Sequence, residues 1–361
     1  MNAVILVGGE GSRLRPLTSN TPKAMVPVLN RPFLEHVFCQ LEAHGVETVV
    51  LALGHLSQSV LDYFGDGSRV GLKLVYSVEK HPLGTAGPIK LAQRYLAERF
   101  LVLNGDVFSD FDITAIVDFH VRNRAIATLA LTPVDNPTIY GVVETGLNGR
   151  VQRFLEKPKS EEVTSNMINA GLYVLEPQVL DYIPAESRVM FEHDVFPKLL
   201  SGGRPMFGYN QRGYWIDIGT PQKYLQLNLD LMKGDVATGL AASVVTAAKD
   251  PSIPRRARVS GTVVIGECCE IGANAEIQGP AVIGPWCKIA DGAKVKESVL
   301  WSGNRLERNC CVERSVIAND CEIGPEAQVT DAVVSDHVVV SAGANVNPGT
   351  KLWPNTRHEA V

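Results

Sequence analysis

MNAVILVGGEGSRLRPLTSNTPKAMVPVLNRP, Met1–Pro32, is the stretch that decides the fold. Ala3-Val4-Ile5-Leu6-Val7 is an unbroken apolar run of strand length, as expected for a parallel-sheet strand buried on both faces. It empties into Gly8-Gly9-Glu10-Gly11-Ser12, where three glycines in four positions leave backbone amides open to a polyphosphate. Cations follow at Arg13, Arg15 and, beyond the stiff Thr21-Pro22 step, Lys23. A glycine loop after the first strand of an α/β sheet lies at that strand's carboxyl end, where such sheets bind ligands. Taken alone, the string also describes a glycine-rich turn with solvated arginines, because such glycine patterns are weak signals.

Outward from this loop, strands and helices alternate. Phe33, Leu34, Val37, Phe38 and Leu41 keep helical spacing, and Gly45 closes that helix. Buried strands are expected at Thr48–Leu53, Leu72–Val78 and Phe100–Leu103, with helices at 57–64 and about 112–122, and a further strand near 125–131. This alternation predicts a doubly wound α/β domain with a mixed, mostly parallel sheet. From Tyr140 the pattern turns antiparallel, with Asn148-Gly149 as a hairpin signal between two apolar strands. Residues 191–200 read as one helix, and Thr220-Pro221 reads as the N-cap and N1 position of another that ends near Gly234.

Beyond a small-residue stretch at 235–252, read as a linker, the chain repeats every six residues: Ile253, Val259, Ile265, Ile271, Ile277, Ile283, Ile289 and Val295. The frame slips by one and resumes at Leu300, Leu306 and Val312, again at Ile317, Ile323 and Val329, and again at Val334, Val340 and Val346. Small residues such as Ala275, Cys287, Cys310, Cys321 and Ala344 stand two positions earlier. Hexads of this kind predict a β-helix with three hexads per coil. The expected organisation is therefore a nucleotide-binding α/β domain over 1–234, the linker, and a β-helix over 253–361.

A chain of 361 residues exceeds what one core usually accommodates, and its net charge of -5 argues against nucleic acid or an anionic membrane as main partner. The N-terminal apolar run is too short for a signal peptide, and no stretch has the length of a membrane span. Seven cysteines occur without CxxC spacing, six of them from Cys268 onward at repeat positions. A reduced, cytoplasmic protein is expected.

Residues with chemistry stand at the expected strand ends. Glu79 follows the third strand and leads into Leu83-Gly84-Thr85-Ala86-Gly87-Pro88. A carboxylate there could accept from the donors of a ligand. The same glutamate also reads as a solvated loop residue. Asp106, freed by Gly105 at the next strand tip, is placed to hold Mg²⁺ on phosphates or simply to turn the chain.

The full string GGEGSRLRPLT with PK after it resembles the signature of the nucleoside-diphosphate-sugar pyrophosphorylases, the sugar-1-phosphate nucleotidyltransferases. Tyr140-Gly141, Glu156-Lys157-Pro158 and Asn169-Ala170-Gly171, in that order, resemble the family's sugar-phosphate pocket, and LGTAGP resembles its mannose-1-phosphate guanylyltransferase branch. The resemblance covers nearly the whole chain and extends to the hexapeptide left-handed β-helix, whose handedness comes from it alone. It implies that Leu6, Gly8, Gly9, Gly11, Ser12, Arg13 and Lys23 wrap the nucleoside triphosphate, with Arg13 and Lys23 on its phosphates. Glu79, Gly84 and Thr85 would read the base, where a carboxylate suits the two adjacent donors of guanine and an amide would suit uracil or thymine. Gly141, Glu156, Lys157 and Asn169 would hold the sugar phosphate, and Asp106 and Asp217 would bind Mg²⁺. The implied reaction joins GTP and mannose 1-phosphate to give GDP-mannose and pyrophosphate. The neighbouring alternative is a glucose-1-phosphate thymidylyl- or uridylyltransferase. A non-catalytic regulatory subunit is the alternative of another class, disfavoured by the joint presence of Arg13, Lys23, Asp106 and Asp217. An acyltransferase tail is disfavoured by a repeat holding only His337, with His358 in the terminal tail. The β-helix is further expected to assemble a homo-oligomer.

Overall fold

The computed structural model describes residues 1–54, 57–234, 236, 254 and 256–360. The expected linker lies outside the described residues apart from residue 236, as does Ile253. The chain forms two compact units, neither contiguous in sequence: Met1–Glu10 with Val37–Asp217, and Gly11–His36 with Ile218–Val361.

The first unit is built on a nine-stranded mixed sheet. Four strands run parallel in the order Phe100–Asn104, Asn2–Val7, Thr48–Leu53 and Lys73–Val78. Ile5 stands opposite Leu103 on one side and Leu51 on the other. Ala3, Val4, Ile5, Val49, Val50, Phe100, Leu101 and Val102 are all fully buried, as a two-sided strand requires. Met167–Leu175 pairs antiparallel with Phe100–Asn104 and leads to the hairpin Gly141–Thr145 and Val151–Glu156, whose turn glycine, Gly149, has φ +80°. A branch runs through Ala127–Pro133 to Met206–Asn210. The strand order reverses at Asn2–Val7, which makes the ends of this strand and of Phe100–Asn104 the switch point of the sheet.

The expected single helix at 191–200 is two pieces, a π-helical turn Phe191–Val195 and an α-helix Phe196–Ser201. Pro197 has no amide proton, so the α-helical bond back to His193 cannot form. Within the π turn the Val195 amide reaches back five residues to the Met190 oxygen at 3.3 Å, and the Met190 amide donates to Asp194 Oδ2 at 2.8 Å.

The second unit contains the β-helix, three parallel sheets of six strands each. Partners lie 18 residues apart at Ile271 and Ile289 and 17 apart at Ile289 and Leu306, so the frame slip in the sequence is a shortened coil. Ala275, Cys287, Ala293, Cys310, Ala327 and Ala344 are fully buried, leaving room for the aliphatic residues that follow two positions later. Each such aliphatic contributes about 1.5–3 kcal/mol. All seven cysteines are free thiols, and burial pushes Cys310 and Cys321 up to about 12, where they serve as compact apolar side chains. The same unit holds the Pro221–Lys233 helix, capped by Thr220 Oγ1 accepting from the Lys223 amide, and the Gly11–His36 segment. No described helix is long and apolar enough to cross a membrane.

Candidate active site

Four parallel strands of the first unit end side by side, and each end carries a residue singled out by the sequence or a glycine that lets the backbones meet. Asn2–Val7 ends at Gly8 and Gly9, Lys73–Val78 at Glu79, and Phe100–Asn104 at Gly105-Asp106. Thr48–Leu53 ends at Gly54, where a Cβ would sit 2.7 Å from the Gly8 carbonyl oxygen. A Cβ on Gly105 would lie 2.6 Å from the Leu6 oxygen, which accepts from the Gly105 amide at 2.9 Å. The backbones here approach too closely for side chains. Gly9 has open space around it, as an uncovered amide requires.

The Glu79 carboxylate is held between two of these ends. Its Oε2 accepts from the Leu83 amide at 2.7 Å, and its Oε1 lies 3.0 Å from where a Cβ of Gly8 would stand. Burial pushes its carboxyl above the usual range, opposed by the Leu83 amide and by the charge of His81. Thus Glu79 has a structural duty, closing the 79–83 loop, and keeps lone pairs on both oxygens for a ligand. Gly84, at φ +81°, could not carry a side chain, because a Cβ would meet the Val189 oxygen at 2.5 Å.

Thr85 leads to residues that the motifs did not reveal. Its hydroxyl donates to Glu192 Oε2 at 2.7 Å and accepts from the Phe191 amide at 2.8 Å. Burial raises the Glu192 carboxyl, with the Thr85 hydrogen bond opposing. The fully buried Tyr173 is likewise held protonated, first by burial and then by the negative charge of Glu192, with Glu156 and Asp106 adding to it. Asn169 Nδ2 donates to the Tyr173 oxygen at 2.8 Å while its Oδ1 accepts from the Gly171 amide at 3.1 Å. Asn169 thus holds the phenol by a hydrogen bond, while the charges of Glu192, Glu156 and Asp106, from three other stretches of chain, act on it. The signal available in the sequence was weak: Glu192 and Asp194 interrupt an apolar run that includes Phe191, Val195 and Phe196.

Asp106 and Asp217 are also brought together. The short strands Val107–Ser109 and Trp215–Asp217 pair antiparallel with Asp217 opposite Val107, one residue from Asp106. Asp217 is only 7% exposed, and the Tyr140 hydroxyl donates to its Oδ1 at 2.7 Å. Tyr140 packs edge-on to Trp215, whose Nε1 donates to the Ala170 oxygen at 2.9 Å. Tyr140 was legible only as half of a YG pair, and here it orients a carboxylate. A Cβ on Gly141 would strike Phe154 at 2.8 Å and Glu156 Oε2 at 2.9 Å, so this glycine admits Glu156. Lys157, at φ +47° and well exposed, lies 3.3 Å from Glu156 Oε1.

Gly11, Ser12, Arg13 and Lys23 belong to the second unit. Gly11 has φ +62°, and its oxygen accepts from the Leu14 amide at 2.9 Å and from Thr18 Oγ1 at 2.8 Å. Ser12–Leu14 and Lys23–Met25 are single 3₁₀ turns. Leu14 and Leu17 are fully buried while Ser12 and Arg13 are exposed, so the arc is anchored by its leucines and presents its polar side outward.

Comparison with known proteins places the chain in a family. Residues 2–234 match the Nucleotidyl transferase family and residues 244–350 match the EIF2B subunit epsilon LbH domain. A mannose-1-phosphate guanylyltransferase of Mycobacterium tuberculosis is 37% identical, over 87% of this chain and 83% of its own. A UTP–glucose-1-phosphate uridylyltransferase of Synechocystis is 33% identical, over 100% and 95%. Among solved structures, HddC from Yersinia pseudotuberculosis complexed with GMP-PN is 28% identical with a TM-score of 0.56, covering 64% of this chain and 99% of that one. The chain accordingly belongs to the nucleotidyl transferase family, as a sugar-1-phosphate nucleotidyltransferase followed by a left-handed β-helix, with a nucleoside triphosphate and a sugar 1-phosphate as its substrates.

Proposed function

We propose that the protein is a mannose-1-phosphate guanylyltransferase, forming GDP-mannose and pyrophosphate from GTP and mannose 1-phosphate. The observation that carries this reading is Glu79, a carboxylate fixed at a strand end with acceptor capacity on both oxygens. Guanine presents two adjacent donors, and an acceptor-only group answers them where an amide would not. The name borne by the Mycobacterium tuberculosis relative supports the same choice, while that of the Synechocystis relative keeps a uridylyltransferase as the second reading.

The sugar-phosphate oxygen is already anionic, so the reaction needs no activated serine or cysteine. It needs alignment and charge neutralisation. In this proposal the open amides of Gly8, Gly9, Gly11 and Ser12 hold the triphosphate, with Leu6 closing the strand beneath them. Arg13 and Lys23 stabilise charge as pyrophosphate leaves the α-phosphorus. Gly84 and Thr85 support the base, Thr85 mainly by locking Glu192. Gly141, Glu156 and Asn169 bind sugar hydroxyls, and Lys157 aims the attacking phosphate.

The family typically uses a divalent cation, and the residues here fit Mg²⁺. Asp217, at the end of its strand, and Asp106, just before the strand that pairs with it, supply hard oxygen donors, and Tyr140 orients Asp217. Among the described residues no group of three or more His, Cys, Asp or Glu could hold a metal, so the remaining ligands would be phosphate oxygens and water, as Mg²⁺ prefers. Bound there, Mg²⁺ would neutralise charge on the phosphates.

Pyrophosphate release measured over a grid of GTP, UTP, dTTP and ATP against mannose 1-phosphate and glucose 1-phosphate tests the reading. The highest kcat/KM is expected for GTP with mannose 1-phosphate. A preference for UTP or dTTP overturns the guanylyl assignment, and a preference for glucose 1-phosphate overturns the sugar.

A further inference from the structure

The segment between Arg13 and Lys23 is fastened to the β-helix, to which it is remote in sequence. The hydroxyl of Ser335 donates to the Pro16 oxygen at 2.9 Å, and Asn20 Nδ2 donates to Asp336 Oδ2 at 3.1 Å. Pro16 stands three residues after Arg13 and Asn20 three before Lys23, so both bonds grip the middle of the arc whose ends carry the cations. A second pair of contacts holds the next turn: Asn30 Nδ2 donates to the Ile283 oxygen at 2.8 Å, and Trp301 Nε1 donates at 2.9 Å to Tyr224, whose hydroxyl reaches the Pro27 oxygen.

These residues come from one column of the repeat. Ile283, Leu300, Ile317 and Val334 are stacked partners, so the residues that follow them, Gly284, Trp301, Ala318 and Ser335, stack as well. Ser335 stands where the preceding coils carry Trp301 and Ala318, and it is buried. The buried serines of another column, Ser298 and Ser315, donate to carbonyls of their own coil, those of Lys296 and Glu313, whereas Ser335 donates out of the β-helix. Asp336 is stranger still, a carboxylate only 3% exposed. Its Oδ1 serves the neighbouring coil, accepting from the backbone and side-chain amides of Asn319, both at 3.0 Å. Its Oδ2 is given to Asn20. A buried carboxylate is costly unless its lone pairs are answered, and part of the answer here comes from the arc.

We propose that Ser335 and Asp336 are positioning residues of the nucleotidyl transfer site. By fixing Pro16 and Asn20 they hold the arc in the one shape that presents Arg13 and Lys23 together, so that ordering it is not charged against triphosphate binding. This rests on the reading above that the arc binds phosphates. The β-helix is then part of the working nucleotide site and more than a tail that assembles subunits.

The test is a swap in the full-length protein. Asp336→Asn keeps an oxygen for Asn319 but turns an amide against the amide of Asn20. Asn20→Asp sets two carboxylates face to face. Each single change should raise the KM for the nucleoside triphosphate about tenfold, as the loss of one such bond predicts, with kcat and the KM for sugar phosphate within about twofold. The double variant Asn20→Asp/Asp336→Asn restores a donor opposite an acceptor and should return that KM to near wild type. Asn20→Ala reads the same contact with the β-helix untouched, should Asp336→Asn fail to fold. Arg13→Ala is the control for the underlying reading. If Arg13→Ala leaves the triphosphate KM unchanged, the arc does not bind phosphates, and both readings fall. If Arg13→Ala raises it while Asn20→Ala and Asn20→Asp do not, or if the folded double variant shows no recovery, the positioning role alone is overturned.

Discussion

The two units bury polar groups in different ways. In the β-helix the buried polar side chains mostly answer a backbone amide of the neighbouring coil. The Ser315 amide donates to Ser298 Oγ at 3.1 Å, the Ala332 amide to Ser315 Oγ at 3.0 Å, and the Cys321 amide to Asn304 Oδ1 at 2.9 Å. Each link joins residues 17 positions apart and repeats the same geometry. Among the described residues of the sheet unit no such ladder relates the buried polar groups. Asp217 is oriented by Tyr140, Glu192 by Thr85, and His120 lies between Thr128 and Glu176. Each has its own partners and its own reason. A repeated bond spreads the cost of a lost member over neighbouring coils, whereas a solitary arrangement at a strand end is tied to whatever binds there. Substitutions should therefore separate the units: at the strand ends of the first they should cost chemistry, in the second stability, except where the β-helix reaches the Gly11–His36 arc.

The largest effect is expected at the acidic pair. Asp106→Asn and Asp217→Asn keep shape and, at residue 217, an oxygen for the Tyr140 hydroxyl, but remove the charge proposed to hold Mg²⁺. Turnover should fall on the order of 10²–10³-fold, as for loss of one preorganised electrostatic contact, with the urea midpoint unmoved. Near-normal turnover at saturating Mg²⁺ in either variant would take that residue out of the metal site. A shifted midpoint with intact turnover would place the pair in the same class as the β-helix ladder.

Glu79→Gln should act next most strongly, and on base choice. The glutamine oxygen can still accept from the Leu83 amide, so the 79–83 loop survives. Facing guanine, an amide donor now meets a donor, which costs about 2–4 kcal/mol. The kcat/KM for GTP should then drop by roughly thirty- to several-hundred-fold, while activity with UTP or dTTP holds or rises. A variant that keeps its preference for GTP would remove Glu79 from base recognition.

The same contrast explains what the sequence discloses. The β-helix is legible to the coil because every hexad states the same fact, and even the shortened coils show as slips of the frame. The sheet is legible because its strands are buried apolar runs ending in Gly8, Glu79 and Asp106. Glu192, Tyr173 and the duty of Tyr140 are not, since each depends on a partner remote in the chain or on a bond set by sheet register, with Thr85, Asn169 or Asp217 at its other end. The π-helical turn at Phe191–Val195 that delivers Glu192 shows in sequence only as a helix with a proline near its middle. The grip of Ser335 and Asp336 on the arc crosses more than 300 residues and has no periodic signature, because it breaks the repeat that hides it.

The smallest effect is one of stability, and it should appear in the sheet unit. His120 is fully buried, with one ring nitrogen 2.8 Å from Thr128 Oγ1 and the other 3.2 Å from Glu176 Oε1. Burial lowers its pKa to about 4, with the Glu176 hydrogen bond opposing and Arg99 adding to the lowering. The folded protein thus keeps His120 neutral down to about pH 4, whereas the unfolded chain protonates near pH 6.5. Between those values the unfolded state binds more protons, so stability rises with pH through this window and is lost as pH falls. The loss from pH 7 to 4.5 should be about 2 kcal/mol and at most about 3, since each tenfold change in proton affinity between the two states is worth roughly 1.4 kcal/mol. The buried His36, whose pKa burial also lowers, adds a slope of the same sign from the second unit. In the β-helix the turn residue His337 and the strand residue His358 are not buried. Urea midpoints of wild type and His120→Gln between pH 4.5 and 7 measure the difference. The variant should be less stable at pH 7 through its altered packing, yet show the shallower dependence on pH. Equal slopes in the two proteins would show that the acid sensitivity has another source.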